Sequence, residues 1–130
     1  MANVLFVCLH NAGRSQMSQA IFEREAGDRH SARSAGTTPA RRLHPEVLGA
    51  MLELGVDLSS RRPRLLTRDD ALWADVVVTM GCGDECPYVP DTRYIDWELQ
   101  DPKGQSLDAV RATRDEIARR VKALVSELDG

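Results

Sequence analysis

The chain has 130 residues, of which 42% are hydrophobic and 28% are charged, and its formal net charge is -3. This length and composition predict one globular domain over residues 1–130, with little room for a second core. The negative charge argues against binding to nucleic acid or to an anionic membrane, no apolar run is long enough to span a membrane, and no basic segment of the kind that begins a signal peptide precedes the first apolar residues.

Strands and helices alternate along the predicted structure. A buried strand over 3–7 ends at Cys8, and a helix follows from Arg14 or Ser15 to about Ala26. The pattern then predicts a strand over 31–36, a helix from Pro45 toward Gly55, a short helix over 67–72, strands over 75–80 and 92–97, and an amphipathic helix over 107–128. Such alternation is typical of an α/β domain whose parallel sheet is covered on both faces.

Two cysteines follow predicted strands. Cys8 comes directly after the first strand, and Cys82 comes shortly after the strand over 75–80. Ligands of parallel α/β sheets bind at the carboxyl ends of the strands, so these two side chains, far apart in sequence, could meet at one edge of the sheet. Three cysteines are an odd number and too few for a disulfide framework, which favours catalytic, metal-binding or buried roles in a cytoplasmic protein.

The segment from Cys8 to Ser15 has the features of an oxyanion-binding loop. Five residues separate Cys8 from Arg14, enough to surround a tetrahedral anion with backbone N–H groups, and the following helix adds its positive end. Arg14 can hold two oxygens in a fork, and Ser15 can donate to the sulfur. The candidate oxyanion-binding residues are Leu9, His10, Asn11, Ala12, Gly13 and Arg14. Because the same donors also stabilise a thiolate, Cys8 is the candidate nucleophile; the alternative is a buried structural cysteine.

The loop resembles that of the low-molecular-weight tyrosine phosphatase superfamily, and the sequence from Arg14 through Gln16-Met17 is most similar to that superfamily's arsenate reductases. The resemblance continues through Ser34-Ala35-Gly36-Thr37, His44-Pro45, the strand over 76–80 and the segment Asp101-Pro102 with Gly104. It implies a four-stranded parallel sheet flanked by helices. Some relatives bind potassium near the loop through residues like Asn11 and Ser34. Gln19 stands where an acidic residue is expected, and we predict no metal site.

The segment Gly81-Cys82-Gly83-Asp84-Glu85-Cys86 distinguishes the reductases from the phosphatases. In thioredoxin-coupled arsenate reductases one cysteine attacks arsenate, a second attacks the adduct and releases arsenite, and a third receives the disulfide. The resemblance implies these roles for Cys8, Cys82 and Cys86 in that order. Half of a zinc site and two inert thiols are the alternatives. The expected reductant is thioredoxin or a mycothiol and mycoredoxin system, with no tightly bound cofactor and a monomeric protein.

Asp101 resembles the aspartate of the family's acid loop and is the candidate general acid; a carboxylate that caps the turn before the last helix is the alternative. The predicted function is therefore reduction of arsenate to arsenite in arsenic detoxification. Hydrolysis of phosphate monoesters is the second hypothesis, and a non-enzymatic module that binds oxyanions or senses redox state is the third.

Overall fold

The strands form one parallel sheet with the order β2-β1-β3-β4. The computed structural model describes residues 1–81 and 90–130. In the described residues the strands are β1 (Asn3–Cys8), β2 (Ser31–Gly36), β3 (Val76–Met80) and β4 (Arg93–Asp96). The helices are α1 (Arg14–Ala26), α2 (Pro45–Leu52), α3 (Arg68–Trp73) and α4 (Leu107–Asp129), with a 3-10 turn at Gly27–Arg29. The predicted four-stranded parallel fold is confirmed.

The strand order creates a crevice at the end of β1. The chain leaves β1 through α1 and returns beside it as β2, whereas β3 pairs with the opposite edge of β1. At such a reversal of strand order the connecting segments diverge, and a ligand can bind between them. Cys8 lies at this point, opposite Gly36 of β2 and Met80 of β3. Parallel pairing thus places Gly81, the residue after β3, beside the predicted nucleophile.

Two cores of unequal size cover the faces of the sheet. Side chains alternate along β1, so Val4 and Phe6 enter the larger core while Leu5 and Val7 enter the smaller one. Helices α1, α2 and α4 all contribute to the larger core. The smaller core consists of Leu5, Val7, Ala74 and Val77, with Leu66, Trp73 and Tyr94 packed against it. The segment around α3 therefore covers the second face.

The helix boundaries follow from local capping. Pro45 occupies the first turn of α2, where its missing N–H is not needed. Thr67 begins α3 with a capping box, in which its hydroxyl accepts the Asp70 N–H and the Asp70 carboxylate accepts the Thr67 N–H. The side chain of Ser106 caps α4 by accepting the N–H of Ala109. None of the described helices is long and apolar enough to cross a membrane.

Candidate active site

The carbonyl groups of the loop after β1 are turned toward the segment 37–44. The carbonyl oxygens of Leu9, His10 and Ala12 accept backbone N–H groups at 2.8, 3.0 and 3.1 Å from Thr38, Ala40 and His44, respectively. In a trans peptide the C=O and the following N–H point in opposite directions. The N–H groups of residues 10, 11 and 13 are therefore directed away from that segment, and the N–H of Asn11 meets the Cys8 sulfur. This is the orientation that a backbone oxyanion cradle requires.

Two donors meet the sulfur of Cys8, which is only 2% exposed. The backbone N–H of Asn11 lies 3.3 Å from the sulfur, and the hydroxyl oxygen of Ser15 lies 2.9 Å from it. Asn11 reaches this position with a positive φ of 49°, a conformation that asparagine tolerates better than most residues. The predicted contact between Ser15 and Cys8 is present.

The hydrogen bonds around Asn11 determine which way the Ser15 hydroxyl points. The backbone N–H of Arg64 donates to Asn11 Oδ1 at 2.9 Å, so the other amide atom of Asn11 is the nitrogen. That nitrogen donates to Ser15 Oγ at 2.7 Å. The hydrogen of the Ser15 hydroxyl is then left for the sulfur. Both contacts at Cys8 are therefore donors directed at the sulfur.

Arg14 lies buried between β3 and the segment that precedes α4. Its guanidinium donates to the carbonyl oxygen of Leu99 at 3.4 Å, and Nη2 lies 3.6 Å from Asp101 Oδ2. The Arg14 side chain is 6% exposed, whereas the Asp101 side chain is 41% exposed. The second oxygen of Asp101 accepts the N–H of Lys103 at 3.0 Å. Asp101 therefore caps a turn, as the structural alternative required, and also lies beside Arg14, as an acid at this site would.

Three glycines allow the segments around the loop to approach one another. A Cβ at Gly36 would lie 2.8 Å from the Leu9 carbonyl oxygen, and one at Gly13 would lie 2.4 Å from Pro102 Cγ. At Gly81 it would lie 2.3 Å from Arg14 Nη1. Contacts this short do not occur between real atoms, so any side chain at these positions would displace its neighbour.

Two histidines border the loop. The Nδ1–H of His10 donates to the Thr38 carbonyl oxygen at 3.1 Å, since a carbonyl can only accept. Burial lowers the pKa of His44 below its ordinary value of 6.5, and the charges of His10 and Lys103 act in the same direction, while Asp101 and Glu46 oppose them. His44 is therefore harder to protonate than a free imidazole.

The structure brings together the predicted oxyanion-binding residues, Ser15 and Asp101, and it adds contacts that the sequence did not indicate. Cys82 and Cys86 lie outside the described residues. Gln16 and Arg64 both donate to Asn11 Oδ1, and nothing in the local sequence pattern indicates this. Within the ranges 1–81 and 90–130, no group of three or more potential ligands could hold a metal ion.

Comparisons with known proteins extend over nearly the whole chain. Residues 3–130 match the model of the family described as low molecular weight phosphotyrosine protein phosphatase. A Halobacterium salinarum protein named "Putative arsenate reductase" is 43% identical over 95% of this chain and 91% of its own length. The glutaredoxin arsenate reductase of Synechocystis is 33% identical over 98% of this chain and 99% of its own.

A solved structure gives the same family relationship. The thioredoxin-dependent arsenate reductase of Corynebacterium glutamicum superposes with a TM-score of 0.84 and 40% identity over 99% of this chain. The matched region is 62% of the length of the Corynebacterium protein, so that protein contains further residues with no counterpart in this chain.

Proposed function

The chain belongs to the low molecular weight phosphotyrosine protein phosphatase family, which includes both phosphatases and arsenate reductases. We propose that it is an arsenate reductase that releases arsenite through a relay of three cysteines. The observation that carries this proposal is the place of Cys82 and Cys86 in the amino-acid sequence. They follow β3, whose last residue pairs with Cys8 in the sheet. A phosphatase needs only Cys8, Arg14 and an acid, whereas a reductase also needs thiols that can receive the oxidising equivalents.

In the first step the Cys8 thiolate attacks the arsenic atom, and a sulfur–arsenic bond replaces one arsenic–oxygen bond. The N–H groups of the loop and the fork of Arg14 hold the remaining oxygens. Asp101, close to Arg14 and half exposed, protonates the departing oxygen, which leaves as water. Ser15 and the N–H of Asn11 donate to the sulfur and hold it in position for the attack.

In the second step the Cys82 thiolate attacks the Cys8 sulfur. A disulfide forms between the two residues, and the electron pair of the sulfur–arsenic bond remains on arsenic, which leaves as arsenite. Cys86 then attacks Cys82, so that a Cys82–Cys86 disulfide forms and Cys8 is restored as a thiolate. An external thiol reductant reduces that disulfide in the cytoplasm, and thioredoxin is the reductant we propose first.

The decisive assay measures arsenite release with thioredoxin, thioredoxin reductase and NADPH, and then with glutaredoxin and mycothiol-based systems. The Cys8→Ser variant is the control and should be inactive, because a serine hydroxyl in this loop stays protonated. Efficient hydrolysis of aryl phosphates, together with no arsenate turnover in any of the systems, would establish the phosphatase instead. Tight arsenate binding without either reaction would leave an oxyanion-binding module.

The relay makes a separate prediction about trapped intermediates. After exposure to arsenate, the wild-type protein should contain a Cys82–Cys86 disulfide, whereas Cys86→Ser should accumulate a Cys8–Cys82 disulfide after about one turnover. Cys82→Ser should stop at the arsenic adduct on Cys8. Peptide mapping of alkylated protein by mass spectrometry identifies each species. Arsenite release without any disulfide would refute the relay and favour direct attack on the adduct by a small thiol.

A further inference from the structure

Arg64 forms hydrogen bonds with three parts of the chain. Its guanidinium donates to the carbonyl oxygen of Ser34 at 2.6 Å and to both carboxylate oxygens of Asp70 at 3.0 Å. Its backbone N–H donates to Asn11 Oδ1, and its carbonyl oxygen accepts the N–H of Gly36 at 2.8 Å. A single residue therefore joins α3, the end of β2 and the oxyanion loop.

Asp70 is the fixed point of this connection. Its side chain is 2% exposed, and it receives hydrogen bonds from Arg64 and from the N–H of Thr67. Burial opposes ionisation of this carboxyl, but the hydrogen bonds from Arg64 and Thr67 outweigh it and hold the pKa below its ordinary value. A buried carboxylate with a forked arginine is a rigid anchor, because releasing the fork removes two of the hydrogen bonds that compensate the carboxylate for its burial.

The direction of the hydrogen bonds continues from this anchor to the nucleophile. Arg64 donates to Asn11, Asn11 donates to Ser15, and Ser15 is left to donate to the Cys8 sulfur. If residue 64 shifts, Asn11 Oδ1 loses one of its two donors and keeps only Gln16 Nε2, so the orientation of the amide is held less firmly. The Ser15 hydroxyl is then free to turn away from the sulfur.

We propose that Arg64 and Asp70 are positioning residues that keep the donors of the loop directed at the Cys8 sulfur. The inference rests on the proposed role of Cys8 as nucleophile, but it does not depend on which oxyanion is attacked. It can therefore be tested without turnover, by measuring the rate at which Cys8 reacts with iodoacetamide. Peptide mass spectrometry separates its alkylation from that of Cys82 and Cys86.

The main variant is Arg64→Met, which removes the guanidinium and keeps the length of the side chain. We expect alkylation of Cys8 at pH 7 to slow about fivefold, equivalent to about 1 kcal/mol or one hydrogen bond to the sulfur, with the rate–pH profile displaced to higher pH. Asp70→Asn should act in the same direction, and Arg64→Lys should fall between Arg64→Met and wild type.

Arg33→Met is the matched control. The guanidinium of Arg33 lies 3.4 Å from Asp70 Oδ1 and 4.2 Å from the centre of the Trp73 ring, so its removal perturbs the same carboxylate and leaves the contacts of Arg64 in place. We expect its alkylation rate to stay within about twofold of wild type. A purely structural role for the pair would instead lower thermal stability in all of these variants and leave the reactivity of the folded protein unchanged.

A double-mutant cycle with Ser15→Ala tests whether Arg64 influences the alkylation of Cys8 through Ser15. If Arg64 acts through Asn11 and Ser15, then Arg64→Met should slow alkylation no further once Ser15→Ala is present. Additive effects, or a folded Arg64→Met protein with wild-type alkylation, would overturn the inference. If Arg64→Met does not fold, Arg64→Lys and Asp70→Asn decide in the same way. A wild-type Cys8 that reacts no faster than Cys82 would instead refute the nucleophile assignment of the proposed function.

Discussion

Gly81→Ala should separate oxyanion binding from the stability of the fold. Gly81 has a φ of 81°, and a Cβ there would lie 2.3 Å from Arg14 Nη1 and 3.1 Å from its Cζ. The guanidinium would have to move by about an ångström to reach an ordinary contact distance. Its contacts with Leu99 and Asp101 are already long, at 3.4 and 3.6 Å, so they offer little resistance to that movement.

The size of the effect follows from what Arg14 does when an anion is bound. A hydrogen bond to a charged group contributes roughly 1.5–3 kcal/mol, so losing one from the fork should weaken oxyanion binding about 10- to 100-fold. The substitution also places an alanine in a left-handed conformation, at a cost of about 1–2 kcal/mol in stability. Gly55→Ala is the control for this loss of stability, because Gly55 has a φ of 78° and a Cβ there would meet no atom within 4 Å.

The assay is protection of Cys8 from iodoacetamide by inorganic phosphate, which binds without reacting further. Both variants should lose similar thermal stability, but only Gly81→Ala should need much more phosphate for half-protection. Equal phosphate affinity in the two alanine variants would refute the argument that Gly81 makes room for the guanidinium.

Three other changes have defined outcomes. Gly13→Ala would bring a Cβ to 2.4 Å from Pro102 Cγ, so it should displace the acid turn and lower the rate of turnover more than the affinity for phosphate, as steady-state kinetics would show. Arg14→Lys should weaken phosphate protection at least tenfold, because an ammonium cannot form the fork, and unchanged protection would contradict this. Hydrogen bonds, chiefly from Arg111, lower the pKa of Glu53 from 4.5 to about 2, so the stabilisation they give is present above pH 4.5 and is lost as pH falls toward 2. The melting temperatures of wild type and Glu53→Gln should therefore converge over that interval, and a constant difference would exclude the linkage.

The sequence predicts the elements of this fold well because its signals are local. The strand over 31–36 coincides with β2, Thr67 caps α3 as expected, and the helix predicted from Pro45 begins there but ends at Leu52, before the turn at Gly55. The propensity, the capping residues and the apolar periodicity of a helix or strand all lie within a few neighbouring residues. A single sequence is therefore enough to predict that element.

The contacts that complete the site are not local, and the sequence does not indicate them. Arg64 is one of several arginines in a basic run, and nothing in that run distinguishes it from Arg61, which pairs with Glu23 on the surface. Nothing in the sequence of the short helix that contains Asp70 indicates that this residue pairs with Arg64. Only folding brings Arg64, held by Asp70, next to Asn11, which lies 53 residues before it.

The outward-turned carbonyls of the loop have a consequence for selectivity. A ring of N–H groups responds to the charge and the tetrahedral shape of a bound anion, and both are shared by phosphate and arsenate. Such a cradle cannot select the rarer ion by affinity, so cellular phosphate must compete for the same place. In the relay proposed above, discrimination is left to the sulfur chemistry, because a phosphoryl group on Cys8 gives no reducible centre to a second thiol, whereas an arsenyl group does. In this proposal arsenate is distinguished from phosphate by the reaction that follows binding, and not by the affinity of the loop for either anion.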